Sequence, residues 1–229
     1  MKRLVLMAGA MALVASHAGA GDVKGTVKFT GTPPKAGRIQ MSADPVCMKS
    51  HRGPITSEEV VVNKDGTLAN VMIYVTSGLK GKQKSGTETK IFDQVGCVYT
   101  PHVLTLTTGQ ELEVRNSDQT LHNVHSLSKK NPSFNQAQPM KGMKMKKKFS
   151  KEETFKVKCE VHPWMGAYIG VFDHPYHAVT DKTGGFELKG LPAGEYTIEA
   201  WHEKYGTLTA TVTMTGTETK TADFTFAAR

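Results

Sequence analysis

Cys159-Glu160-Val161-His162-Pro163-Trp164-Met165 places a thiolate, an imidazole and a thioether within seven residues. These are soft donors, and softness selects copper over magnesium, calcium or manganese. One loop of this kind cannot complete a site, so a further nitrogen ligand must return from a distant strand. Asn116-Ser117-Asp118-Gln119-Thr120-Leu121-His122-Asn123-Val124-His125 offers it. Two imidazoles and a thiolate in a trigonal plane, with a weak axial Met, form the blue-copper electron-transfer arrangement. Residues three apart on a strand face opposite sides, so His122 and His125 cannot both point at one ion. Glu160 adjoins the thiolate, but Met165 already fills the axial position.

Around this loop the chain reads as short strands. Period-2 alternation runs through 23–29, 60–62, 71–75, 103–106, 112–114 and 155–157. It recurs at Phe186 and Leu188, at Tyr196, Ile198 and Ala200, and at Leu208, Ala210, Val212 and Met214. Lys64-Asp65-Gly66, Thr107-Thr108-Gly109, Lys182-Thr183-Gly184-Gly185 and Pro192-Ala193-Gly194 are turn sequences between them. No window keeps helical apolar spacing beyond two turns, so the chain is all-β. With 38% hydrophobic residues it can bury a core, and 229 residues fit one large or two small domains. A formal charge of +8 with only 7% aromatics does not favour a nucleic-acid partner. There is no paired carboxylate, Ser-His-Asp set or Gly-rich phosphate loop, so the chain is read as a non-enzyme.

The stretch from Ile91 to Phe172 resembles the cupredoxins, most closely the amicyanin and plastocyanin branch. The residues that carry this are Tyr99-Thr100-Pro101, then Leu104, Leu106, Gly109, Leu112, Val114 and Asn116. His122-Asn123-Val124-His125, Pro139-Met140 with the lysines after it, and the C-x-x-H-x-x-M loop complete the set. The resemblance implies a Greek-key sandwich and one type 1 copper ion, with His122, Cys159 and His162 as strong ligands and Met165 axial. It implies that Asn123 ties the two ligand loops together. Pro163 and Trp164 stiffen and shield the loop. The exposed edge of His162, collared by Pro163, Trp164 and Leu121, is one route for electrons.

Between the ligands runs Met140-Lys141-Gly142-Met143-Lys144-Met145-Lys146-Lys147-Lys148. Lys141, Lys144, Lys146, Lys147 and Lys148 either form a solvated hairpin or dock an acidic redox protein such as a cytochrome or dehydrogenase. Cys47 and Cys97 are read as a disulfide, with a second metal site using His51 and His102 as the rival. Lys2 and Arg3, an apolar run from Leu4 to Ala15, and Ala18-Gly19-Ala20 read as a cleaved signal peptide. That run is too short for a membrane anchor. The expected location is periplasmic or secreted.

From Val179 the sequence Asp181-Lys182-Thr183-Gly184-Gly185-Phe186-Glu187-Leu188, with Gly190-Leu191-Pro192-Ala193-Gly194-Glu195-Tyr196, resembles the carboxypeptidase regulatory-like (transthyretin-like) sandwich. This implies a second, smaller immunoglobulin/prealbumin-like sandwich. Its missing half resembles Gly25-Thr26-Val27-Lys28-Phe29 and Gly66-Thr67-Leu68-Ala69-Asn70-Val71. The expected organisation is a signal peptide at 1–20, an N-terminal β segment at 21–85, a cupredoxin at 86–174 and the closing β segment at 175–229. A plain serial order is the alternative. Three functions compete: a single-electron carrier, a copper storage or delivery protein, and a surface interaction module with a secondary copper site.

Overall fold

The computed structural model describes residues 19–228. The expected signal peptide lies almost entirely outside the described residues. The described residues open with β1 (Ala20–Thr30), a short helix α1 (Pro45–Lys49) and β2 (Met72–Ser77). The middle segment holds β3 (Lys90–Val95), β4 (Val98–Thr100), β5 (Val103–Thr107), β6 (Leu112–Asn116) and β7 (His122–Ser126). It continues through β8 (Asn135–Gln138), β9 (Lys144–Lys147), β10 (Glu153–Lys158) and β11 (Gly166–Phe172). The last six strands are β12 (His177–Val179), β13 (Gly185–Pro192), β14 (Gly194–His202), β15 (Gly206–Met214), β16 (Thr219–Thr221) and β17 (Phe224–Ala227).

Strands β3 to β11 make two sheets, ordered β5-β11-β10-β7-β8 and β4-β3-β6-β9. Alternation decides which side chains enter the core between them. Leu112, Val114 and Asn116 of β6 point in, as do Phe155 and Val157 of β10. The apolar ones meet Phe92, Tyr99, Leu106, Val124, Ile169 and Val171 in one cluster. The other two sheets, β12-β2-β14-β15 and β13-β1-β16 with β17 also on β1, enclose a separate cluster that includes Val27, Leu68, Ile73, Leu188 and Ile198. β1 and β2 thus pair with strands that arrive more than 100 residues later in the chain.

β5 is buried at every position. Leu104 and Leu106 face their own sandwich, while Val103 joins Met72 and Phe172 in a small cluster between the two sandwiches. Tyr168 and Trp201 meet edge-on beside it at 5.1 Å. Two expectations are corrected here. Residues 60–62 form no strand, and Val62 makes only an isolated bridge to Leu68. The purely β reading omits α1, although Asp44 before Pro45 is a helix-start sequence: the Asp44 carboxylate accepts from the Val46 and Cys47 amides, and Pro follows at the first helical position.

Candidate metal centre

His122 opens β7, and Cys159 to Met165 connect β10 to β11. The loop is closed by its own backbone: Cys159 N–H donates to Met165 O, and Met165 N–H to His162 O. His162 N–H reaches back to the Cys159 sulfur at 3.4 Å. The cysteine is thereby held in the position of an acceptor, as a thiolate requires. His122, Cys159, His162 and Met165 are all buried.

The donor atoms converge. Nδ1 of His122 and Nδ1 of His162 are 3.0 Å apart, and Cys159 Sγ lies 3.9 Å from the latter. One nitrogen from each imidazole and the sulfur all lie within 4.8 Å of one another. Bonds of about 2.0–2.3 Å from one ion would span roughly such separations.

The far side of each ring explains why these atoms want a cation. His122 Nε2 meets Asp118 Oδ2 at 2.8 Å, and His162 Nε2 meets Asp44 Oδ2 at 3.1 Å. A carboxylate is an acceptor only, so each Nε2 carries a hydrogen, and in the neutral ring each Nδ1 is left with a lone pair. Two lone pairs facing one another beside a sulfur are stable only with a proton or a metal ion between them. The soft, nitrogen-and-sulfur composition fits copper.

Without a metal the same geometry moves the titrations. Burial works against the charged form of His122, but its contacts with Asp118 and the Cys159 sulfur outweigh it and raise the pKa. Burial dominates at His162 and lowers its pKa, against the pull of Asp44. For Cys159, burial raises the pKa, yet hydrogen bonds from His122 and the loop backbone bring it below the ordinary thiol value. Burial also opposes ionisation of Asp44, but bonds from Thr120, His162 and the α1 amides hold its pKa down at about 2.

The remaining candidates are placed as follows. Asn123 bridges the loops: its Oδ1 accepts from Glu160 N–H, its Nδ2 donates to Asn135, and its carbonyl accepts from the Tyr99 hydroxyl. The Trp164 ring lies 4.9 Å from that of His162, and its Nε1 donates to Cys97 O. Pro163 is exposed. His125 turns away to Glu160.

Cys47 and Cys97 form a disulfide, so neither thiolate is available to a second metal. His51 meets Gly96 O and His102 meets Glu203 instead. Of the lysine run, Lys144 pairs with Glu113 and Lys146 with Glu111 along β9, while Lys147 lies over the Phe134 ring. Lys141 and Lys148 are exposed.

The open edge expected for His162 is not present. The residue is 2% exposed, because α1 and the disulfide lie over it: Cys47 Sγ is 3.6 Å from its Nε2. Leu121 and Val161 beside the ligands, and Val46 and Met48 on α1, are exposed apolar side chains. Sequence reasoning missed Asp44 and Asp118 altogether. Asp118 stands four residues before His122 and was legible as a nearby acid, whereas Asp44 meets His162 across 118 positions.

The carboxypeptidase regulatory-like domain model matches residues 162–227. Its first part overlaps β11, which pairs with β10 and β5 in the site-bearing sandwich. Among solved structures, a Cu(I) form of an amicyanin mutant is 19% identical over 43% of this chain and 97% of its own, with a TM-score of 0.33. A purple cupredoxin from Nitrosopumilus maritimus is 22% identical over 36% of this chain and 98% of its own, TM-score 0.32. A copper-containing nitrite reductase from Thermus scotoductus is 20% identical, TM-score 0.35, and this chain spans 25% of its length. No curated protein matches the chain. Residues 162–227 are thus similar to the carboxypeptidase regulatory-like domain, within a described chain built of strands and one short helix.

Proposed function

We propose that this is a mononuclear type 1 copper protein that carries single electrons between redox partners and performs no catalysis. The observation that supports it is the meeting of two Nδ1 atoms and a thiolate in a buried pocket, with both Nε2 atoms committed to carboxylates. Copper bound there would supply a one-electron couple. His122, Cys159 and His162 would hold it, together with the buried Met165 thioether. The chain's part is rigidity. The two imidazoles are fixed at their outer ends and the sulfur by a closed loop, so little needs to move when the charge at the centre changes.

The strand pairing supports reading the molecule as a carboxypeptidase regulatory-like sandwich, made from β1, β2 and β12 to β17, with the copper-binding sandwich inserted between β2 and β12. The disulfide supports an oxidising location such as the periplasm. Redox partners would be steered by the lysines near β9 and seated on the apolar end around Leu121 and Val161. A copper store or carrier is the second reading, favoured by the 66% exposure of Met140 ahead of Met143 and Met145. Adding Cu(II) to metal-free protein separates the two. An electron carrier develops an intense visible thiolate-to-copper band that a reductant bleaches reversibly, whereas a store loads Cu(I) without colour.

A further inference from the structure

Two backbone amides connect the disulfide to the metal centre. Cys47 N–H donates to Asp44, the carboxylate on His162, and Cys97 N–H donates to Asp118, the carboxylate on His122. We propose that the Cys47–Cys97 disulfide is the positioning clasp of both imidazole donors, holding each through the aspartate bound at its own cysteine. The functional weight of this rests on the copper reading above.

Neither half of the clasp would hold its place unaided. α1 has five residues, far too few to persist alone, and Cys47 is its one buried side chain. The covalent bond is therefore what keeps α1, and Asp44 at its start, over His162. Thr120 adds a tie from the other ligand loop, donating to Asp44 Oδ2 at 2.7 Å.

On the other side, Gly96 and Cys97 form the two-residue turn between β3 and β4, with φ of 66° and 54°. A non-glycine residue in this left-handed region is disfavoured, and such turns usually choose Asn-Gly or Gly-Gly. The turn directs both amides at Asp118: Gly96 N–H to Oδ1 at 2.7 Å and Cys97 N–H to Oδ2 at 2.8 Å. Cys97 O also receives Trp164 Nε1–H, which sets the ring packed on His162. Cysteine at position 97 is thus explained by the bond it makes, and that bond joins the supports of the two ligands.

Nuclear magnetic resonance of the metal-free protein reads the clasp directly. Both histidines should show Nε2–H signals protected from solvent exchange. In Cys47→Ala/Cys97→Ala that still folds, both signals should lose protection, and Cu(II) should pass to a chelator about 10–100-fold faster. A folded double variant that keeps both signals protected overturns the proposal.

If the double variant does not fold, Asp44→Ala and Asp118→Ala decide, since both retain the disulfide. Asp44→Ala should affect the His162 signal and leave His122 unchanged, with the reverse for Asp118→Ala. Either variant leaving its own ring's signal in place contradicts the clasp. A wild-type chain that takes up no Cu(II) removes the copper reading instead, while the metal-free spectra still decide the clasp.

Discussion

Asp44 Oδ2 lies 3.1 Å from His162 Nε2, closing the imidazole edge that the sequence offers as one route for electrons. The same carboxylate starts α1, so one side chain both caps a helix and orients a metal ligand. Asp44→Ala should therefore destabilise the metal-free protein by about 1–2 kcal/mol, the size of a lost helix cap. Asp44→Asn, which still offers an oxygen to Val46 and Cys47, should lose less than half as much. Denaturant titrations of the two variants test this, and equal losses would show that the cap is unimportant.

Glu153 supplies a pH dependence far from the metal. Its carboxylate accepts from the amides of Lys129, Lys130 and Asn131 and from the Ser128 hydroxyl. Burial opposes ionisation, but these bonds dominate and lower its pKa from 4.5 to about 2. A depressed carboxylate contributes stability that is complete above the unfolded value and is lost as pH falls through the folded one. Unfolding free energy should thus fall between about pH 4.5 and 2, and Glu153→Gln should flatten that slope. An unchanged slope would rule out this group as the source.

Steering and seating should separate kinetically. Lys146→Glu/Lys147→Glu/Lys148→Glu should slow electron transfer from a negatively charged protein donor and flatten its salt dependence, since exposed charges are screened over about 8–10 Å at ordinary salt. Leu121→Asp/Val161→Asp should slow the same reaction while leaving the salt slope of the lysines in place. The lysines lie outside both ligand loops, so the triple reversal should leave the visible spectrum unchanged. Stopped-flow rates against ionic strength check both, and a triple reversal without effect would reduce the run to a solvated strand paired to Glu111 and Glu113.

Much of this molecule is legible where the physics is local. Alternation exposes β6, β10 and β14 because one face of each meets a core and the other meets polar surroundings. The ligand loop is legible because its soft donors are seven residues long and closed on themselves. β5 reads only in part, since both of its faces are covered and Val103 serves a different cluster from Leu104. Least legible are the carboxylates behind the histidines. Asp44 meets His162 across 118 positions, in a segment that the disulfide ties to the site's sandwich, and no spacing rule spans that distance.

In the reading above, His122, Cys159 and His162 bind copper as one thiolate-bearing centre. Titrating metal-free protein with Cu(II) while recording the visible spectrum tests it, alongside Cys159→Ser. An intense band should saturate at one copper per chain, bleach on reduction, return on oxidation and be missing from the serine variant. A colourless wild type, or a serine variant that keeps the band, would contradict it.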